Sequence, residues 1–122
     1  MSFNRIRISN RATARLSMLK GRTGLTPNIL CRIGLCLSLS DPSIPDPQHY
    51  DENGQEFNRY TLTGELDMFF IALVKERLLQ DGLDPDEDLI SQFKAHLNRG
   101  AISLFDKVKH LGDIYYLMRP QM

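Results

Sequence analysis

Seven cations, Arg5, Arg7, Arg11, Arg15, Lys20, Arg22 and Arg32, punctuate the first 39 residues of this 122-residue chain, and no Asp or Glu interrupts them. Guanidinium and ammonium groups bind phosphate oxygens through charge-assisted hydrogen bonds, and a stretch without carboxylates offers them no local counter-charge. The chemistry open to these residues is therefore polyanion binding. Fifteen Lys and Arg balance fifteen Asp and Glu overall, so this segment carries +7 and the rest of the chain −7. Such a complete asymmetry points to a cationic face displayed from an acidic body.

Catalytic chemistry finds less support. His49, His96 and His110 fall in separate predicted elements with no nucleophile beside them, and His96 and His110 read as exposed or half-buried helix residues. No nucleophile elbow, HExxH or CxxC pattern occurs. Asp46, His49, Asp51 and Glu52 match no EF-hand or zinc spacing, so no metal, cofactor or catalytic residue is expected. Cys31 and Cys36 lie about 140° apart around a predicted helix and cannot pair within it. They read as buried, reduced thiols of a cytoplasmic protein. The longest apolar run, Met68 to Val74, is too short to span a membrane, and no secretory leader opens the chain.

The elements that must position the cations follow from periodicity. In Phe3-Asn4-Arg5-Ile6-Arg7-Ile8 an extended backbone sends Ile6 and Ile8 one way and Arg5 and Arg7 the other. A strand this short needs a partner, most simply the same strand from another subunit. Ser9 or Asn10 can cap a first helix whose Ala12, Leu16 and Leu19 share one side, with Arg11, Arg15 and Arg22 within about 40° of each other beside it. Gly21 and Gly24 can end that helix, and Thr26-Pro27 starts a second, whose free N–H groups near Thr26 and Asn28 suit either a cap or a phosphate. The second helix is apolar on most sides. Gly34 inside it suggests close approach of another backbone, within the subunit or across an oligomer interface.

Residues 40–61 hold three of the six prolines and read as a long surface loop. Thr61 or Thr63 opens a third helix with an apolar centre that includes Phe69 and Phe70, expected in the core or at a subunit contact. Asp84-Pro85-Asp86-Glu87 opens a fourth, and Gly100 is expected to separate it from another short helix. The chain reads as one mainly α domain: a strand-helix-helix module over 1–39, the loop over 40–61 and a helical extension over 62–122.

The order strand, helix, turn, helix, with Arg5 and Arg7 facing out, resembles the ribbon-helix-helix, Met-repressor-like plan. In that plan two chains pair strands in the DNA major groove, and Arg5, Arg7, Thr26 and Asn28 match its DNA-facing positions. A resemblance over nearly the whole chain is carried by Arg15-Leu16-Ser17-Met18-Leu19-Lys20-Gly21-Arg22-Thr23-Gly24-Leu25-Thr26-Pro27-Asn28-Ile29-Leu30-Cys31-Arg32, the Pro-rich loop and Gly64-Glu65-Leu66. These segments resemble the DndE family, small subunits of bacterial DNA phosphorothioation systems. The resemblance implies a non-catalytic accessory protein that self-associates as a tetramer, binds duplex or nicked DNA, and works beside DndC and DndD subunits. On that reading Arg5, Arg7, Arg11, Arg15, Lys20, Arg22, Thr26 and Asn28 face DNA. Gly21, Gly24, Gly34, Phe69 and Phe70 then face other subunits. The rival expectations are a repressor or antitoxin-like regulator that reads bases through Arg5 and Arg7, and a metal-dependent nickase using the loop acids.

Overall fold

The computed structural model describes residues 3–119, so the first two residues of the expected module and the last three of the expected extension lie outside it. The chain runs β1 (Arg5–Arg7), α1 (Asn10–Thr23), α2 (Pro27–Ser40), β2 (Glu56–Asn58), α3 (Arg59–Thr63), α4 (Asp67–Gln80), α5 (Leu89–Lys107) and α6 (Leu111–Met118). The fold is mainly helical, with one small two-stranded sheet.

Local chemistry sets the first three elements. Ser9 caps α1 by accepting from the Ala12 N–H at 3.0 Å. Gly24, at φ 77°, ends it in the left-handed conformation, its N–H donating to the Lys20 carbonyl at 2.8 Å. Gly21 does not end the helix, which continues to Thr23. Thr26 and Pro27 then start α2 as expected. Ile6 and Ile8 are buried and Arg5 and Arg7 exposed, as the alternation requires.

The partner of β1 differs from the expectation of an intersubunit ribbon. It pairs antiparallel with β2 of the same chain, with Ile6 opposite Phe57 and Arg7 opposite Glu56. Ile8 extends the ribbon by donating to the Gln55 carbonyl at 3.0 Å and accepting from the Gly54 N–H at 2.9 Å. The long loop thus contains a strand. Three residues, Glu56 to Asn58, carry too little periodicity to reveal it, but Phe57 is buried under the ribbon.

Helix α5 organises the remainder, packing on α1, α2 and α4. Its middle holds Gly100, which was expected to break the helix and instead sits inside it. The reason is the crossing with α2. A Cβ on Gly34 would stand 2.9 Å from the Gly100 carbonyl carbon, and a Cβ on Gly100 would overlap the Gly34 carbonyl. The two glycines therefore allow two backbones to touch, at a helix-propensity cost of about 1 kcal/mol each that close packing offsets.

Two other boundaries move. The expected third helix divides into α3 and α4 around a 3-10 turn at Gly64–Leu66. The fourth begins at Leu89 because Asp84 closes a turn first: its carboxylate accepts from the Asp86 and Glu87 N–H groups at 2.8 and 2.9 Å. Among these helices lies a polar network. His96 is fully buried, not exposed or half-buried, because it faces α2 across the crossing, where its Nδ1 stands 2.8 Å from the Ser38 hydroxyl. Arg99 donates to that hydroxyl at 2.9 Å and to the Ser38 carbonyl at 2.9 Å. Arg77 ties the end of α2 to α4 through the Leu39 carbonyl at 3.0 Å and pairs with Asp81 at 2.9 Å.

Gly34→Ala and Gly100→Ala should each lower unfolding free energy in urea by about 1–3 kcal/mol, with Gly100→Ala the more damaging because its methyl meets a carbonyl oxygen. Burial, helped by the charges of Arg99 and Arg77, pushes His96 down to about 4 from 6.5. The unfolded chain then binds a proton that the folded chain refuses, so stability is complete above pH 6.5 and falls as pH drops toward 4, by up to about 3 kcal/mol. His96→Gln should flatten that part of the pH–stability curve.

Candidate nucleic-acid interface

Helix α1 buries Ala12, Leu16, Leu19 and Thr23, and this stripe fixes where its cations point. Arg11, Arg15 and Arg22 leave the helix within about 40° of one another along one margin of the stripe. Lys20 leaves from the opposite margin, about 140° or more away, so the structure does not bring it onto the same ridge. Along the ridge α5 supplies the neighbouring surface. The Arg15 guanidinium carbon lies 4.4 Å from the centroid of the Phe105 ring, and that of Arg22 lies 4.2 Å from it. Lys109, just beyond α5, places its Nζ 5.5 Å from the same ring. Arg22 also donates to the Val108 carbonyl at 3.2 Å.

The side-chain nitrogens of Arg11, Arg15, Arg22 and Lys109 form no ion pair among the described residues, and the Asp113 carboxylate near Lys109 is engaged by the Lys109 backbone N–H at 2.8 Å. Their charges are thus available to an external anion, and a phosphate oxygen is the partner that guanidinium forks match best. No local motif or charge pattern singles out Phe105 or Lys109. Phe105 carried only an apolar-stripe signal, and nothing local shows that α1 lays two arginines over its ring.

Arg5 and Arg7 are differently placed. Both project from the ribbon, but Glu56 on the paired strand lies 3.4 Å from Arg5 and 3.5 Å from Arg7. Arg7 also donates to the Gly54 carbonyl at 3.0 Å, and Asp51 and Glu52 line the small cleft beside it. Tyr50 links the two regions, lining both that cleft and a second one beside Arg11 and Arg99. The cations without an ion-pair partner among the described residues therefore start at Arg11 and run through Arg15 to Arg22. Arg32 is turned away from the task, donating to the Leu62 and Thr61 carbonyls at 2.6 and 3.2 Å at the end of α3.

Thr26 uses its hydroxyl to cap α2, accepting from the Ile29 N–H at 3.5 Å, and Asn28 is half-buried in the first turn. Both lie within six residues of Arg22. Of the residues expected to face another subunit, Gly34 instead contacts Gly100 of its own chain, because that is where α2 crosses α5. Phe70 is buried in the core, on the inward side of α4 with Val74 and Leu78. Gly24 is accounted for by the helix end. Gly21 and Phe69 remain exposed, as do Leu66 and Met68 beside Phe69, Met68 at 84%, and Leu79 near the other end of α4. Cys31 is buried, but Cys36, expected to be buried, is exposed because α2 turns that flank outward, where it lines an apolar groove with Ile33, Leu37 and Phe70. No helix of the described residues is long and apolar enough to cross a membrane.

Comparison with known proteins gives a consistent relationship. The family model described as DNA sulphur modification protein DndE matches residues 5–111. Among solved structures, the chain is similar to the crystal structure of DndE from Escherichia coli B7A involved in DNA phosphorothioation modification. That similarity has 28% identity and a TM-score of 0.69, over 85% of this chain and 98% of that one. It is also similar to the crystal structure of a DndE mutant involved in DNA phosphorothioation, at 25% identity and a TM-score of 0.67, over 85% of this chain and 99% of that one. No curated protein matches the chain significantly.

The placement of Glu56 generates a test of the ribbon. Exposed ion pairs contribute little to stability, so Glu56→Gln should change unfolding free energy by less than about 1 kcal/mol. Freed of its carboxylate, the ribbon should bind polyanions more tightly, read as elution from a heparin column at higher salt than the parent protein.

Proposed function

Because the chain belongs to the DndE family, we propose that it is a non-catalytic accessory subunit of a DNA phosphorothioation system that holds duplex or nicked DNA through its phosphates. The single observation behind this reading is the ridge Arg11, Arg15 and Arg22 with Lys109, whose side chains form no ion pair among the described residues. A convex helix margin of cations meets a sugar-phosphate backbone rather than base edges, which makes binding salt-sensitive and weakly sequence-specific. Arg5 and Arg7, offset by Glu56, and Lys20, on the other margin, contribute less; Thr26 and Asn28 extend the surface past the end of α1.

The exposed apolar residues Met68, Phe69 and Leu79 of α4 support self-association of the kind the family resemblance implies, a tetramer. Gly21, exposed and with open space around it, can belong to such a contact. DndC and DndD are the partners this role would serve, and sulfur transfer would be their task rather than this subunit's.

Fluorescence anisotropy of labelled intact and nicked duplexes between 50 and 200 mM salt tests the reading. Each phosphate contact should contribute about 0.9 to the slope of log affinity against log salt. Joint replacement of Arg11, Arg15 and Arg22 by Glu should weaken binding at least about a hundredfold with the helical circular dichroism retained. Lys20→Glu should have a smaller effect. Unchanged affinity in the triple variant would refute the proposal. A sharp sequence-dependent footprint that vanishes with Arg5→Ala and Arg7→Ala would favour a repressor instead.

A further inference from the structure

Three of the six cation–aromatic contacts among the described residues converge on one ring, that of Phe105. Arg15 and Arg22 are two turns apart on α1, about 10 Å along the axis, yet both guanidinium carbons stand within 4.4 Å of the same centroid. Lys109 arrives from the segment after α5. Like charges gathered this way repel, and the π-system of one aromatic ring offsets only part of that repulsion. Arg15 and Arg22 have no ion-pair partner among the described residues, and the acid beside Lys109, Asp113, accepts from the Lys109 backbone N–H at 2.8 Å. Asp106, the next residue of α5, is exposed and makes no ion pair among the described residues.

We infer that Arg15, Arg22 and Lys109, gathered on Phe105, form a seat for a single phosphate group, with Phe105 as the residue that positions its two guanidinium forks. The ring limits how each guanidinium can turn, and the Val108 carbonyl holds Arg22 further, so the N–H edges are set before the anion arrives. Arg15 is only half-exposed, and its Nε is buried without a hydrogen-bond partner, which leaves its terminal nitrogens as the donors to the ligand. The source of the phosphate, a nucleic-acid strand, rests on the function proposed above; the seat itself does not.

Two probes separate the sources: a fluorescein-labelled 20-base-pair duplex, and inorganic phosphate followed by NMR of the arginine Nε–Hε signals. Phe105→Leu removes the ring face but no charge. It should weaken duplex binding about fivefold with an unchanged salt slope, and Phe105→Tyr should restore it. Arg22→Gln should lower the slope by about 0.9. Inorganic phosphate should shift the Arg15 and Arg22 signals in the parent protein and in Phe105→Tyr, but not in Phe105→Leu. The seat is overturned if a folded Phe105→Leu binds both probes as the parent does, or if Arg22→Gln leaves the slope intact. If phosphate shifts those signals while no duplex binds, the seat stands and the DNA reading falls. Duplex binding that depends on Arg11 alone removes the seat and keeps that reading.

Discussion

The close crossing of α2 on α5, made at Gly34 and Gly100, is the contact on which the rest of the molecule depends. With side chains at either position the helices would stand apart, and the layer of Leu30, Leu35, Phe93, Leu97 and Leu104 would lose its close packing. The crossing also brings Ser38 against His96 and Arg99, so one polar network locks the same two helices. Once α5 is fixed, its outer turns define a platform beside α1. Phe105 is on that platform, and its position under Arg15 and Arg22 is a consequence of helix packing several turns away.

The charge distribution has a comparable logic. Many carboxylates of the acidic body are occupied where they stand. Asp67 binds Arg59 at 2.8 Å, and that pairing holds its carboxyl below the usual range. Asp81 binds Arg77, Glu56 flanks Arg5 and Arg7, and Asp84 and Asp113 accept backbone N–H groups in turns, which lowers both. An acid engaged in this way does not reach across to α1. The overall neutrality of the chain therefore conceals a cationic margin that survives because its counter-charges have partners elsewhere. Arginine, not lysine, dominates that margin, and arginine is the residue that can both stack on a ring and present a planar fork to phosphate.

The ribbon shows how the same sequence cue can serve another end. Alternation in Arg5–Ile8 truly buries Ile6 and Ile8, but the strand is completed by Glu56–Asn58 from the long loop. A ribbon closed inside one chain stabilises the start of the fold without needing a second copy. It also places Glu56 beside the two arginines that a base-reading strand would keep free.

Much of this was legible in residue order because it rests on neighbours a few positions apart. The caps at Ser9 and Thr26, the stop at Gly24, the buried stripe of α1 and the common margin of Arg11, Arg15 and Arg22 all follow from helical geometry and local hydrogen bonding. The absence of acids through residue 39 already pointed to polyanion binding, and the segment Arg15–Arg32, with the Pro-rich loop and Gly64-Glu65-Leu66, carried the family likeness. Residue order could not say that Gly100 belongs inside a helix, that His96 is buried, that β1 pairs with β2, or that Phe105 lies under two arginines. Each of those depends on a contact between residues about 50 to 90 positions apart, whose pairing is settled by which surfaces pack together rather than by any pattern either segment contains.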